Sequence, residues 1–467
     1  MVPFDSSSPT LPVSSTWPRK NWLRIVIGRL LHMKVRLVAP AESGGGNPAH
    51  GKGLFPPLSL AVLGALTPED IDVEVVDENV SNHDFDAPVD LVGITSITAT
   101  APRAYRVAAE YRARGVPVVM GGMHASALPG EALEHVDAVV VGEAEGIWER
   151  VLEDAQSGTM SGEYRAEERP CLEGLPEPRK DLFDPKRYIT TNLVQTSRGC
   201  PNACTFCAVS RFFGRTYRMR QVEDVVREVA ALKNRLILFV DDNIAGHRER
   251  AKELFRALNP LGVRWMGQSS LAIAEDPELL DLAADSGCVA LFIGFESLNP
   301  ANLRGVGKGL VNRAEGFLES VEKIHRRGIG IEGAFIFGMD EDDERVFDEI
   351  LGFATGARLA LAQFGILTPF PGTPLFEQME KKGRIIERDW SRYTISNVVT
   401  EPLNMSREAL QEGFNRAYRE FYSYRSILSR LLPGMNRSFF LFLGLNVVFK
   451  RVVRDMLRAK TPAEGLS

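Results

Sequence analysis

The chain has 467 residues, 44% of them apolar and 25% charged, and its formal net charge is -6. This length and composition predict an ordinary globular protein with several domains, and the mild negative charge gives no indication of a nucleic-acid partner. Only five cysteines occur, and three of them are clustered, which is not the pattern of a secreted disulfide framework. We therefore expect a reducing, cytoplasmic location.

The N-terminus, residues 1–32, is predicted to be an extension of the folded protein. It carries Asp5 and a run of serine and proline where a secretory signal would be basic. The first clear strand begins at Met33, so either Met1 or Met33 is the start of translation. Residues 21–32 have the pattern of a short basic helix, either a frayed terminal helix or one that lies on a membrane surface.

Residues 33–158 alternate between short apolar strands and helices. Nearly all-apolar strands separated by helices predict a doubly wound, Rossmann-like parallel sheet that is covered on both faces. Ligands of such sheets bind beyond the carboxyl ends of the strands. The predicted strands are VRLVAP, VEVVDENV, LVGITSIT, VPVVMGG and AVVVGEAEG, and the predicted helices include SLAVLGALTP and PRAYRVAAEYRARG.

Small, hydroxylated and glycine residues follow three of these strands, in the segments TSITAT, GGMHAS and GEAEG. Such residues either form the turns that every doubly wound sheet needs or let a large ligand approach the backbone closely. The candidate ligand contacts in these segments are Thr95, Ser96, Thr98, Gly121, Gly122, His124, Gly142 and Glu143.

Residues 159–190 are rich in proline and charge and are predicted to be a linker, in which Cys171 is incidental. A second alternation of strands and helices occupies residues 191–384 and predicts a partial, TIM-like barrel of parallel strands. Cys288 begins one of these strands and is predicted to be a core residue. The predicted strands are NLVQTS, RLILFVDD, VRWMGQSS, VALFIGFES, GIEGAFIFGM and LAQFGILTPF.

The segment TSRGCPNACTFC places Cys200, Cys204 and Cys207 directly after the first strand of this barrel, at the face where barrel enzymes keep their chemistry. Thiolates favour zinc, copper(I) or iron–sulfur clusters. Structural zinc needs four ligands, and no histidine lies close in sequence, although folding could bring one near. A 4Fe–4S cluster held by three thiolates keeps one iron open to a non-protein ligand.

The CxxxCxxC spacing, with Phe206 before the last cysteine, closely resembles the radical S-adenosylmethionine (SAM) family. In that family the open iron of the cluster binds SAM, and electron transfer cleaves SAM to a 5′-deoxyadenosyl radical. The resemblance extends, in the same order, through FVDDN, GFES, FIFGMDED and TPFPGTPLF. It implies that the three cysteines are the catalytic cluster ligands, that Gly199 and Gly294 help to shape the SAM site, and that SAM is contacted by Phe206, Asp241, Asp242, Asn243 and Glu296. The aspartates could instead cap a helix, and Glu296 could be a structural ion-pair partner.

A doubly wound domain before such a barrel resembles the cobalamin (B12)-binding branch of this family. The resemblance implies that TSITAT, GGMHAS and GEAEG surround the corrin and its nucleotide tail. Many cobalamin proteins ligate cobalt through the motif Asp-x-His-x-x-Gly. The nearest match here is PAHGKG, in which Pro48 replaces the aspartate that would orient the imidazole. We therefore do not expect His50 to ligate cobalt.

Residues 385–467 have a helical pattern with many aromatic residues and the apolar segment FFLFLGLNVVF, which is flanked by arginine and lysine residues. The aromatic side chains are predicted to pack in a core. This apolar segment with its cationic flanks either packs on the barrel or makes a peripheral contact with an anionic membrane. We expect a hydrophobic small-molecule substrate, such as a lipid or isoprenoid, and an electron donor such as flavodoxin or ferredoxin.

These observations predict an enzyme that methylates an unactivated carbon with a 4Fe–4S cluster, SAM and methylcobalamin. One alternative is a cyclase or rearrangement enzyme that uses the same cofactors without methyl transfer. The other is a non-catalytic corrinoid-binding protein.

Overall fold

The computed structural model describes residues 33–42, 53–233, 235–309, 312–434 and 438–460. His50 and the helix predicted over residues 21–32 lie outside the described residues.

The first sheet has six parallel strands in the order β2-β1-β3-β4-β5-β6. Successive residues of β1 enter different cores, because Leu37 packs on one face of the sheet and Val38 on the other. The predicted doubly wound sheet is confirmed. Its last strand, β6, lies in the segment predicted as a linker. The strands are β1 (Lys34–Ala39), β2 (Asp72–Asp77), β3 (Leu91–Thr95), β4 (Val118–Gly121), β5 (Ala138–Val141) and β6 (Gly162–Arg165).

Five α-helices accompany this sheet among the described residues. Two of them, over residues 58–66 and 101–113, match the helices named from the sequence, and both bury small or branched residues on the sheet. The helices are α1 (Leu58–Leu66), α2 (Ala101–Ala113), α3 (Met123–Ala127), α4 (Pro129–Leu133) and α5 (Trp148–Ser157).

The second sheet is a six-stranded, all-parallel partial barrel in the order β14-β13-β12-β11-β10-β7, as predicted. A separate two-stranded antiparallel sheet, β8 with β9, flanks the cysteine segment. The strands are β7 (Leu193–Val194), β8 (Ser197–Arg198), β9 (Arg218–Met219), β10 (Leu236–Phe239), β11 (Arg264–Ser269), β12 (Cys288–Glu296), β13 (Gly330–Phe337) and β14 (Leu361–Ile366).

Eleven further helices are described, and most of them cover the outer face of the barrel, whereas the first directly follows the cysteine segment. They are α6 (Val209–Phe212), α7 (Val222–Ala231), α8 (Arg248–Leu258), α9 (Pro277–Asp285), α10 (Pro300–Gly305), α11 (Phe317–His325), α12 (Val346–Gly356), α13 (Pro374–Lys381), α14 (Arg407–Phe421), α15 (Tyr424–Leu431) and α16 (Phe439–Lys460). None of the helices described is long and apolar enough to cross a membrane.

Successive residues of a barrel strand point alternately into the outer core and into the lumen of the barrel. Phe335 and Phe337 of β13 face outward into the main apolar core, so Glu332 and Ala334 face the lumen. Phe442 of α16 closes the lower end, because a Cβ on Gly330 would lie 2.3 Å from its ring.

The free edge of β14 is covered by Tyr418 of α14 and by Tyr422, which directly follows this helix. Tyr418 Oη accepts a hydrogen bond from Phe364 N (3.1 Å) and donates one to Phe364 O (2.9 Å). Tyr422 makes the same pair of bonds with Ala362, at 3.3 and 2.8 Å. The predicted packing role of these aromatic side chains is confirmed, whereas Tyr424 remains 68% exposed.

Candidate active site

The cysteine loop, residues 199–208, follows β8 at the carboxyl end of the barrel. Gly199 opens it with φ +90°, and a Cβ there would lie 2.2 Å from Thr216 O, so only glycine fits this turn. Cys204 is buried and the other two cysteines are partly buried, and all three are free thiols. Cys207 N donates to Cys204 O (3.3 Å), which curls the loop around its centre.

Two aspartates after β10 fix the approach to this loop. The fully buried Asp241 carboxylate accepts hydrogen bonds from Thr196 N (3.1 Å), Thr196 Oγ1 (2.8 Å) and Ser197 Oγ (2.5 Å). Asp242 accepts one from Gly199 N (3.2 Å), and burial raises its pKa to about 6. The Asp241 carboxylate therefore already binds the segment that leads into the cysteine loop. Contact of Asp241 or Asp242 with SAM stays a prediction.

Contacts from elsewhere in the barrel hold the middle of the loop. Thr205 N donates to Val306 O, and Leu375 N donates to Thr205 O, both at 3.0 Å. The hydroxyl of Thr205 is buried without a hydrogen-bond partner among the described residues. It belongs to the residue directly after Cys204, and no described group uses it as a donor or acceptor.

Burial raises the pKa of all three thiols, and that of Cys207 reaches about 11. Among the described side chains, no three of the His, Cys, Asp or Glu type converge closely enough to hold a single metal ion. Ligands of a 4Fe–4S cluster need not converge in this way, since each thiolate binds a different iron. Three free cysteines on one loop, with an unpartnered hydroxyl between them, fit such a cluster and would supply three of its four ligands.

The end of β12 supplies a second charged group beside the loop. Glu296 adopts a left-handed backbone conformation (φ +67°) after a bulge, and Lys308 donates to its carboxylate at 2.5 Å. Both groups are close enough to Cys204 to affect the pKa of its thiol. Asn243 accepts a bond from Ser270 N (3.3 Å), and Phe206 packs against an apolar cluster. The structure thus brings together the residues predicted to contact SAM, and the contacts themselves stay predictions.

Loops at the carboxyl ends of β3 and β4 approach each other closely. Gly122 has φ +97°, and a Cβ on it would lie 2.5 Å from Ser96 O. Ser96 Oγ is buried without a partner among the described residues, and Thr98 is also buried. His124 is fully buried, with Nε2 at 3.0 Å from Tyr105 Oη. An unpartnered hydroxyl beside a tight glycine turn fits a ligand that meets the backbone, as predicted for cobalamin here.

The remaining predicted corrin contacts lie at the ends of β3, β4 and β5. Thr95 and Gly121 are partners across β3 and β4. Gly142 has φ +86° with open space where a Cβ would stand. Glu143 is buried and makes ion pairs with the barrel, as described next. Contact of these residues with cobalamin stays a prediction.

An interdomain ion-pair cluster, made of Glu143, Glu145, Arg198 and Arg218, joins the loop after β5 to β8 and β9. Arg198 Nη1 lies 2.6 Å from Glu143 Oε2 and 2.5 Å from Glu145 Oε1. Arg218 Nη2 lies 2.5 Å from Glu143 Oε1. All four side chains are at least four-fifths buried, so the first sheet docks directly on the strands that flank the cysteine loop.

A second contact joins the domains on the other side of the site. Trp390 Nε1 donates to Glu131 at 3.0 Å, and its ring packs edge-on against His124. A Cβ on Gly372, in the loop after β14, would lie 3.2 Å from Ala127 Cβ. The carboxyl ends of the two sheets therefore face each other, which places the predicted corrin loops opposite the cysteine loop.

Sequence reasoning missed Lys308, Thr205, Glu145 and the two arginines of the ion-pair cluster. The only feature of the sequence that pointed to one of them was the position of Arg198, two residues before Cys200. Nothing in the sequence pointed to Lys308, because its partner Glu296 belongs to another element and the pair forms only on folding.

Comparisons with known proteins agree with this arrangement. A family model described as the radical SAM superfamily matches residues 194–354, and one described as the B12 binding domain matches residues 48–152. The chain is 35% identical over 426 residues to bacteriochlorophyllide d C-12(1)-methyltransferase of Chlorobaculum tepidum, covering 88% of this chain and 90% of that protein. The C-8(2)-methyltransferase of the same organism is 28% identical, over 86% of this chain and 93% of that protein.

A relative of another activity also matches. Anaerobic magnesium-protoporphyrin IX monomethyl ester cyclase of Cereibacter sphaeroides is 26% identical, over 85% of this chain and 71% of that protein. Among solved structures, the radical SAM methyltransferase TsrM from Kitasatospora setae superposes with a TM-score of 0.59 at 20% identity, covering 75% of each chain. OxsB, a cobalamin-dependent radical SAM enzyme, gives 0.67 at 15% identity, over 94% of this chain and 75% of that one.

The two solved structures show the shared fold, and the relative at 35% identity shows the family. The chain belongs to the cobalamin (B12)-binding radical SAM family and is a radical SAM methyltransferase whose cofactors are a 4Fe–4S cluster, SAM and cobalamin.

Proposed function

We propose that this enzyme methylates an unactivated carbon of a large, mostly apolar substrate held between the two sheets, with a tetrapyrrole as the first candidate class. The proposal rests on one observation. The loops after β3, β4 and β5, here called the corrin-domain loops, lie opposite the cysteine loop and are held there by the ion-pair cluster and by the Trp390–Glu131 contact. The tetrapyrrole class is supported by two relatives, each aligned over most of the chain, whose names both specify bacteriochlorophyllide d.

When bound, the reduced cluster and SAM supply a radical that removes hydrogen from the substrate, and methylcobalamin supplies the methyl group. The chain's own residues position these reactants. Cys200, Cys204 and Cys207 hold the cluster, while Asp241 fixes the backbone that leads into their loop. The Glu296–Lys308 pair presents a charged group beside it. Docking of the two domains would shield the space between the sheets from water once cofactors and substrate are bound, which protects reactive species from side reactions.

Anaerobic reconstitution with iron, sulfide and hydroxocobalamin, followed by incubation with SAM, bacteriochlorophyllide d and dithionite as the electron donor, tests this proposal. We expect release of 5′-deoxyadenosine and a product heavier by about 14 Da, the mass of one CH2 group. The Cys204→Ala variant is the control and should give neither. Cleavage of SAM without a mass change in the tetrapyrrole would contradict the substrate class.

Cyclisation is the second candidate, because the cyclase relative aligns over most of this chain. It predicts loss of hydrogen from the substrate with no gain of a methyl group. A non-catalytic corrinoid-binding protein is less well supported, since the chain keeps all three cysteines on an ordered loop with Glu296 and Lys308 beside it.

For the electron donor, we propose an acidic redox protein of the flavodoxin or ferredoxin type. Arg169, Arg211 and Arg215 are exposed around the helix that follows the cysteine loop. A Cβ on Gly214 would lie 2.8 Å from the guanidinium carbon of Arg169, so Arg169 lies against this segment. Charge reversal by Arg211→Glu with Arg215→Glu should slow turnover with flavodoxin and leave turnover with dithionite unchanged. Equal rates with flavodoxin, compared with the Arg326→Glu control, would exclude this surface.

For membrane contact, we propose the exposed apolar side chains of α15 and of the first turn of α16, together with Leu432. Phe440 is 83% exposed, Leu428 is 46% exposed and Leu432 is 50% exposed, and Arg425 and Arg451 are exposed on the same two helices. Apolar side chains beside cations favour an anionic bilayer surface. Co-flotation with vesicles that contain phosphatidylglycerol should fall in Phe440→Ser, and lack of flotation by the unchanged protein would contradict the proposal.

A further inference from the structure

Two arginines face each other on the small sheet that carries the cysteine loop. Arg198 of β8 and Arg218 of β9 are direct cross-strand partners. Like charges in this position destabilise a strand pair, and burial makes their repulsion stronger than it would be in water. This two-stranded sheet therefore lacks the means to neutralise its own charges.

The neutralising charges come from the other domain. Glu143 bridges the two arginines, with one oxygen 2.5 Å from Arg218 and the other 2.6 Å from Arg198, and Glu145 adds a second carboxylate to Arg198. Two carboxylates balance two guanidinium groups. The four side chains are no more than 16% exposed, so solvent screens these charges only weakly.

The position of this pair connects it to the cluster ligands. Arg198 precedes Gly199, whose constrained turn leads directly to Cys200. From the barrel side, Asp241 accepts hydrogen bonds from Thr196 N and Ser197 Oγ, and Asp242 accepts one from Gly199 N. The start of the cysteine loop is thus fixed by carboxylates from both domains, and the carboxylates in direct ion pairs with the two arginines are Glu143 and Glu145 of the first domain.

We propose that Glu143 is a positioning residue that makes the geometry of the cysteine loop depend on the docked corrin-binding domain. Through it the two cofactor sites are coupled. If the loop after β5 moves away, Arg198 and Arg218 lose their carboxylate partners and repel each other at the start of the cysteine loop. Conversely, an ordered cysteine loop favours the docked arrangement of the two domains. This inference rests on the family assignment and not on the proposed substrate.

Hydrogen–deuterium exchange of the full-length, metal-free chain tests it. Glu143→Gln keeps the shape of the side chain and removes its charge. We expect amide exchange over residues 197–219 to accelerate by roughly tenfold or more, since a buried charge loses its partner. Glu163→Gln is the matched control, because Glu163 makes only an exposed ion pair with Arg165 in the same domain.

The double variant Glu143→Gln with Arg218→Gln distinguishes charge repulsion from simple loss of contact. Removal of one arginine relieves the repulsion, so exchange over residues 197–219 should return most of the way to that of the unchanged protein. The proposal is wrong if Glu143→Gln matches Glu163→Gln. It is also wrong if exchange rises uniformly along the chain, or if the double variant exchanges as fast as the single one. In the reconstituted enzyme, Glu143→Gln should lose iron to a chelator roughly tenfold faster as well.

Discussion

Lys308 donates a hydrogen bond from Nζ to Oε1 of Glu296 at 2.5 Å and a second one to Gly294 O at 2.9 Å. This arrangement fixes a carboxylate in a left-handed backbone position beside Cys204. A pair of opposite charges that is buried in this way is costly to break from one side.

Glu296→Gln should lower SAM cleavage by about tenfold to a hundredfold, as expected for loss of a hydrogen bond to a charged group. Lys308→Met should lower it at least as much, because the Glu296 carboxylate is then buried without a partner. The measurement is 5′-deoxyadenosine release at equal iron content. Lys323→Met, on the exposed face of α11, is the control, and cleavage at the unchanged rate in Glu296→Gln would refute the role assigned to this pair.

Replacement of any one of Cys200, Cys204 and Cys207 by alanine should abolish the cluster, since only three thiolates are available on the loop. Iron content and the visible absorbance of the reconstituted protein measure this. Cys171→Ala and Cys288→Ala are the controls and should retain the iron, because Cys171 is exposed in a loop and Cys288 lies in the main core.

Asp241→Ala should destabilise the metal-free protein by about 3 kcal/mol or more, because three donors of Thr196 and Ser197 lose their common acceptor in a buried site. Urea unfolding measures the free energy of unfolding. The exposed Asp285→Ala should remain within about 0.5 kcal/mol of the unchanged protein. Equal stability of the two variants would show that these hydrogen bonds do not hold the loop.

Glu332 gives a pH-dependent prediction. Burial in the lumen raises the pKa of its carboxyl group from 4.5 to about 7. The folded protein therefore holds this proton more tightly than the unfolded chain, and stability falls as the pH rises from about 4.5 through 7. Glu332→Gln should be more stable than the unchanged protein by about 3 kcal/mol near pH 8 and by less than about 1 kcal/mol near pH 5. A difference in stability that does not vary with pH would contradict the assignment.

Gly122→Ala and Gly142→Ala form a matched pair for the corrin-domain loops. Both glycines have positive φ, but only at Gly122 would the new methyl group meet backbone atoms, at 2.5 and 2.8 Å. Gly142→Ala should cost about 1 kcal/mol of backbone strain, and Gly122→Ala should cost several times more and weaken cobalamin binding. Urea unfolding and the spectrum of bound hydroxocobalamin measure these two effects. Equal losses of stability and of cobalamin binding in the two variants would show that the close approach of the loops after β3 and β4 contributes to neither.

The sequence predicted the fold well where periodicity is strong. Each long apolar strand of the two sheets was recognised, and the rule that parallel strands present ligands at their carboxyl ends placed the cysteine loop and the corrin-domain loops correctly on their sheets. Strand β6, with the residues GEYR, escaped because it is short and mostly polar, and its only neighbour is the apolar edge that β5 offers.

The parts of the site that could not be predicted are contacts between distant segments. Glu143 and Arg198 are 55 residues apart, and Trp390 and Glu131 are 259 residues apart. Such pairs depend on how one domain docks on the other, which neither propensity nor residue spacing encodes. The hydrogen bonds of Asp241 with Thr196 and Ser197 could not be predicted either. A motif identifies the residue type but not the direction in which its carboxylate points.

The tyrosine pair at the C-terminal end of α14 has a consequence for shortened forms of the protein. Tyr418 and Tyr422 occupy backbone groups of β14 that would otherwise be free to pair with another molecule. A chain ending before α14 would present an uncovered strand edge beside a large apolar core. We would expect such a fragment to self-associate into insoluble material, even though every cofactor ligand named above remained in it.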